Sequence, residues 1–106
     1  MLPISHRLKK ETDFKRIYYR GRRRAGNFFD FFYLKNFKGT RFGIVVTIKA
    51  IKKASQRNLA KRRVRGFLLE DQELWPKKTD IIIKIKKEIK NKEEARQELG
   101  DNLKKI

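Results

Sequence analysis

Between Lys49 and Arg65 the chain places eight Lys and Arg in seventeen residues with no Asp or Glu among them. Such a segment cannot be buried on every side, because an unpaired charge in an apolar interior is prohibitively unfavourable. Wound as a helix at about 100° per residue, Arg57, Asn58, Lys61, Arg62 and Arg65 fall in one arc. Ala60, Val64, Phe67 and Leu68 fall in a neighbouring one. One flank can therefore pack while the other is left for a polyanion, and the rest of the chain must supply an apolar surface for the packed flank.

The excess of charge is general. A net charge of +18 on 106 residues exceeds what solubility requires, and its self-repulsion opposes folding unless a polyanion is bound. Nucleic acid and an anionic membrane surface are the candidate partners. The apolar runs from Phe28 to Leu34, interrupted by Asp30, and from Ile81 to Ile83 fall far short of the roughly 20 residues of a membrane span. The first residues lead directly into basic ones without the apolar segment of a signal peptide. The absence of cysteine excludes a disulfide framework and a thiolate metal cluster, and fits a cytoplasmic protein. A chain of this length makes one domain, residues 1–106, that buries about 60 to 68% of its unfolded surface, too little for a large enclosed active site.

Taken in order, Leu2 to Lys10 reads as an extended arm. Thr12 is expected to cap a short helix, with Asp13 at its positive end and Gly21 at its far end. Phe14, Ile17 and Tyr18 share one face of it, and so short a helix needs a sheet beneath it. Arg22 to Arg24 forms a basic connector or a brief strand, and Asn27 to Leu34 has strand composition. There Phe29, Phe31 and Tyr33 point one way and Phe28, Asp30 and Phe32 the other. After a turn from Asn36 to Thr40, the run from Arg41 to Ile48 is apolar on both faces and is expected to be central. The basic helix follows, capped by Ser55 and ending before Asp71, then a loop around Trp75 and Pro76. A strand from Asp80 to Ile85 is expected to pair in parallel with the one ending at Ile48, since a helix separates them. Asn91 with Glu94 marks the start of a last helix striped by Ala95, Leu99, Leu103 and Ile106. The class is α+β, in the order α-β-β-β-α-β-α.

Lys52, Lys53 and Ala54 followed by Arg57, Asn58, Lys61, Arg62 and Arg65 resemble the signature helix of the bacterial ribonuclease P protein subunit. Leu2, Pro3, Arg7, Leu8 and Lys9, then Asp13 to Tyr18 with Gly21, resemble that family's first helix, and Arg41 to Val46 its central strand. The likeness spans roughly residues 2 to 85. Leu59 departs from it, standing where the family usually has a basic residue, as does Gly66, standing where it usually has an acidic one. The resemblance implies a sandwich like domain 2 of ribosomal protein S5, with a left-handed βαβ crossover where ordinary statistics favour a right-handed one. It also implies a function: the protein assists an RNA subunit, the Mg2+-dependent catalyst that removes the 5′ leader from precursor tRNA. Arg57, Asn58, Lys61, Arg62, Arg65 and Lys53 would then bind the catalytic RNA. Phe14, Tyr18, Phe32 and Lys49 would line the cleft for the leader.

The residues themselves agree that no bond chemistry is carried by the chain. His6 is the single histidine, Ser5 and Ser55 lack a His and carboxylate partner, and there is no Cys, so nucleophilic and His-based acid–base catalysis have no candidates. Glu70, Asp71 and Glu73 could hold a hard cation, but an acidic patch after a basic helix reads first as a solvated helix end, as the lysines at 86, 87, 90, 104 and 105 read as solvated faces. Asn58 can donate to phosphate and accept from a 2′-OH, which favours RNA over DNA. Leu59 is expected to be exposed. The rival readings are a structural RNA-binding protein of ribosomal type with no part in tRNA processing, and a non-specific nucleoid or membrane-surface protein. Both leave the aromatic first helix without a purpose.

Overall fold

A computed structural model gives the fold and describes residues 6–106. The elements are α1 (Glu11–Arg20), β1 (Arg22–Ala25), β2 (Phe29–Lys35), β3 (Arg41–Val46), α2 (Ala54–Glu70), β4 (Thr79–Ile85) and α3 (Lys92–Lys105), with a 3-10 turn at Gln72–Leu74. This is the α+β order expected from the sequence. One four-stranded mixed sheet runs β1-β2-β4-β3, in which β4 pairs antiparallel with β2 and parallel with β3.

Strand β4 is the centre of the sheet, and Ile81, Ile82, Ile83 and Ile85 are all fully buried. The expectation that the strand from Arg41 would be central is therefore wrong, since β3 is an edge. Its two apolar faces arise because helices cover it on both sides, and alternation reports covered faces but not a strand's place in the sheet. Its outer edge is partly closed by the arm: Arg7 bridges Phe42, and the Leu8 amide donates to the Phe42 carbonyl at 2.9 Å. The expectations for Leu2, Pro3 and Ser5 lie outside the described residues.

The register sorts the side chains between two faces. Phe29, Phe31 and Tyr33 of β2 lie across from Ile85, Ile83 and Ile81, and this face packs against Ala60, Val64, Phe67 and Leu68 of α2 and Ala95, Leu99 and Leu103 of α3. The opposite face carries Asp30 and Phe32 with Ile82, and α1 lies on it through Ile17, with Leu8 buried beside it. Phe28 departs from its expected side: it precedes β2 and is buried with the α2 and α3 cluster. Glu98 of α3 holds it there, its carboxylate accepting from the amides of Asn27, Phe28 and Phe29 at 2.7, 2.9 and 3.0 Å.

The helix starts were only partly legible. Asn91 caps α3 through its side chain, as expected. Lys10 and Lys53, neither making a side-chain cap, hold the N-cap positions of α1 and α2 in place of Thr12 and Ser55. The arm's pairing with β3 brings the chain extended up to Lys10, and at α2 the Arg57 guanidinium takes up the carbonyls of Ile51 and Lys52 at 3.0 and 2.7 Å.

Helix α1 is tied to the sheet by charge as well as by packing. Asp80 is fully buried and accepts two bonds from Arg41 at 2.8 and 2.9 Å, one from Arg16 at 3.2 Å and one from Asn36 at 2.7 Å. Asp13 joins the cluster, 3.3 Å from Arg16 and 3.6 Å from Arg41. Hydrogen bonding to Asp80 raises the Arg41 pKa, with burial acting against it. Every oxygen of this buried carboxylate is satisfied, the condition under which a buried charge is tolerated.

Candidate nucleic-acid interface

Helix α2 positions the cationic arc. With Ala60, Val64, Phe67 and Leu68 buried, the phase leaves Asn58 and Arg62 exposed and Arg57, Lys61 and Arg65 half-buried, where a long stem packs and the charged head reaches water. The side chains of Asn58, Lys61, Arg62 and Arg65 make no hydrogen bond or ion pair with the described residues. Arg57 has a second task, since its Nη1 is taken by the two carbonyls that close the start of α2. Its Nε and Nη2 remain for phosphate.

Leu59 is half-buried, not exposed. It lies with Arg63, Glu88 and Ile89 in a shallow groove of about 300 Å³, because the loop after β4 folds against that flank of α2. Arg63 donates to the Ile89 carbonyl there, so its guanidinium serves the fold and does not replace the charge missing at Leu59.

Lys53 and Lys49 share the rim of a larger groove of about 880 Å³, with Lys52, Lys87 and Lys90 around it. Phe28 contributes to its lining, with the Lys87 ammonium 4.8 Å from the ring centroid. Lys49 thus lies with Lys53, apart from the aromatic residues expected beside it.

Those aromatics gather under α1. The Tyr18 and Phe32 rings meet edge to face, centroids 4.8 Å apart. Tyr18 stays 44% exposed, and partial burial raises its pKa. Arg23 lies 5.8 Å from the Phe32 centroid and donates to Asp30 at 3.0 Å. The second Asp30 oxygen has no hydrogen bond, although the Lys86 ammonium is 3.4 Å away; the distance marks an electrostatic contact whose geometry is too poor for a bond. Arg23 and Asp30 were not foreseen as site residues, and the only signal for them is the pairing of Arg23 with Phe32 across the β1–β2 register.

Phe14 is more deeply set. Its ring covers Gly43, where an added Cβ would come within 2.6 Å of it, so glycine is required there by close approach. Phe14 also lines a small hollow of about 160 Å³ at the β3 edge together with Arg65. The cleft and the α2 arc, on opposite faces of the sheet, meet at this one point.

The acidic patch after α2 is engaged by α3. Arg96 donates twice to Asp71 at 3.0 and 2.7 Å and lies 2.9 Å from Glu70. Hydrogen bonding to Arg96 holds the Asp71 carboxyl below its ordinary pKa. His6 Nδ1 lies 2.8 Å from the Thr40 carbonyl, which accepts from its Nδ1–H tautomer, and the ring stands edge-on against Trp75. Among the described residues no group of three or more His, Cys, Asp or Glu could hold a metal ion, and no helix is long and apolar enough to cross a membrane.

A model of the family described as Ribonuclease P matches residues 2–106. The chain is 36% identical over 108 residues to the ribonuclease P protein component of a Pseudanabaena species, covering 100% of this chain and 91% of that one. It is 35% identical over 92 residues to that of Rhodococcus jostii, covering 79% and 73%. Its fold is similar to that of the RNase P protein from Thermotoga maritima, with a TM-score of 0.86 at 31% identity over 94% of this chain and 96% of the other. The Staphylococcus aureus RNase P protein is also similar, with a TM-score of 0.82 at 28% identity over 93% of each chain.

Proposed function

Because the chain belongs to the ribonuclease P protein family, and so takes the protein-subunit role in tRNA 5′ processing, we propose that α2 docks on the ribonuclease P RNA while the α1 cleft holds the 5′ leader of precursor tRNA. The observation that carries this reading is the contrast in partners: Asn58, Lys61, Arg62 and Arg65 stand unpaired on an acid-free face, and Tyr18 is half-exposed over Phe32 on the other side of the sheet. Phosphates of a folded RNA would be neutralised by the first set with release of counterions. An extended single strand would stack on the second. Lys53 and Arg57 extend the docking face, Phe14 lines the leader's side, and Lys49, which shares a groove with Lys53, joins the docking face. Only a precursor has a leader, so the cleft favours precursor over mature tRNA.

Cleavage in this assignment belongs to the RNA, with Mg2+ held mainly by it. Asp71 and Glu70 face Arg96, Asp80 and Asp13 face Arg16 and Arg41, and among the described residues no group of three or more carboxylates or histidines could hold the ion. The work of the protein is binding and orientation in the cytoplasm, and DNA is not an expected partner. Reconstitution tests it. The protein mixed with a bacterial ribonuclease P RNA and precursor tRNA at low Mg2+ should raise 5′ cleavage above that of the RNA alone, and be inert without it. Cleavage by rigorously RNA-free protein, or no stimulation of the RNA, would overturn the reading.

A further inference from the structure

We infer that the turn between β2 and β3 is an additional RNA-contact site, at which Phe37 stacks on an unpaired base of the ribonuclease P RNA. The identity of the RNA rests on the family reading above. The site itself rests on the turn. Of the eight phenylalanines, Phe37 alone is displayed, 98% exposed, while the others are buried or half-buried.

The display is braced. The Asn36 side chain donates to the Gly39 carbonyl at 2.8 Å and to buried Asp80 at 2.7 Å, and accepts from the amides of Lys38 and Gly39 at 3.0 Å each. Its own amide donates to the Lys78 carbonyl at 2.8 Å. Phe37 therefore projects from a turn fixed to the centre of the sheet, which lowers the ordering entropy a ligand must overcome.

Its surroundings select the ligand. Lys35 ends β2 and Lys38 belongs to the turn, and the bond from Asn36 to Lys78 brings the segment holding Lys77 and Lys78 alongside. All four lysines are exposed, and none has an acidic partner among the described residues. Lys35 reaches only the Thr79 hydroxyl, at 3.2 Å. No Asp or Glu occurs from 35 to 41 or from 74 to 79, and Asp80 beneath is fully engaged. Lys78 holds φ at +48°, a left-handed conformation that glycine or asparagine adopts more readily. A lysine kept in such a position points to a functional use of its charge. An aromatic ring amid cations, with no compensating acid, is the combination that binds single-stranded nucleic acid by stacking and phosphate contact.

The turn lies at the end of the sheet where β4 begins, whereas Lys49 and Lys53 lie beyond the other end, where β3 leaves it. A large folded RNA can reach both ends of the sheet at once, and a short leader in the cleft cannot.

The test compares Phe37→Ala, Phe37→Leu and Phe37→Trp for affinity to a bacterial ribonuclease P RNA transcript, for precursor affinity of the assembled complex, and for binding to vesicles containing anionic lipid. Alanine and leucine should each weaken binding to the transcript by about 5- to 100-fold and tryptophan should restore it, all with an unchanged unfolding midpoint. The double variant Lys38→Ala with Lys78→Ala should lower the salt slope by about two. Wild-type affinity in Phe37→Ala, full retention in Phe37→Leu, or a loss confined to precursor or to vesicles would each overturn the inference. If Arg62→Ala weakens transcript binding while Phe37→Ala does not, this site falls and the α2 reading stands.

Discussion

Arg16 and Arg41 on one side of the sheet and Arg62 and Arg65 on the other are the same kind of side chain in opposite circumstances. The first pair converges on buried Asp80 and on Asp13, and their charge holds α1 to β3 and β4. The second pair meets no acid among the described residues, and the one acid of its helix, Glu70 at the far end, faces Arg96. Positive charge alone therefore does not mark a binding surface in a chain with 30 Lys and Arg; the absence of an internal partner does. The same distinction separates Arg63, bonded to the Ile89 carbonyl, from its neighbour Arg62.

The comparison is most sharply broken at its anchored side. Replacing Asp80 by Ala leaves Arg41 and Arg16 without their buried counter-charge, and should lower stability by about 3 to 5 kcal/mol, read as a lower urea midpoint. Affinity of the remaining folded protein for the catalytic RNA should be kept, because no residue of the α2 arc has moved. A loss of affinity beyond the unfolded fraction would show that the two sides are coupled.

Tyr18→Ala sharpens the comparison on the cleft. If a leader base stacks on this ring, precursor affinity should fall by about 1 to 3 kcal/mol, and only for leaders long enough to reach it. The protein should also lose the edge-on contact with Phe32, worth about 0.5 to 1.5 kcal/mol, which is less than truncation of a fully buried aromatic. A defect equal for every leader length, together with a much lower unfolding midpoint, would make Tyr18 a core residue.

The smallest effect is expected at Arg96→Gln. The Asp71 pKa is depressed in the folded protein, so its stabilisation is present above the ordinary carboxylate pKa of about 3.9 and is lost as pH falls through the lower folded value. Without Arg96 that contribution should disappear at neutral pH, and the drop in unfolding temperature between pH 7 and pH 2 should become smaller. An unchanged acid limb would remove the ion pair from the account.

Periodicity carried much of the fold. The buried flank of α2 and the stripe of Ala95, Leu99 and Leu103 follow from spacing alone, because 3.6-residue repetition reports burial directly. The place of β3 at the edge did not follow, since helices on both sides give an edge strand the look of a central one. Leu59 was misjudged for a related reason: helical phase describes a helix by itself, and the loop from Lys86 to Lys90 that covers this residue is distant in sequence. Nor did the sequence distinguish a paired arginine from an unpaired one. Asp80 lies 39 residues from Arg41 and 64 from Arg16, and only the parallel pairing of β3 with β4 brings them together.

The salt dependence of catalytic-RNA binding, measured for Arg62→Ala beside Arg16→Ala, tests the central claim most directly. Removing Arg62 should lower the slope of log affinity against log salt by about one and leave the unfolding midpoint unchanged. Removing Arg16 should lower the midpoint and leave the slope of the folded protein at the wild-type value. Equal losses of slope in both variants would contradict the account, since internally paired and unpaired arginines would then serve the RNA alike.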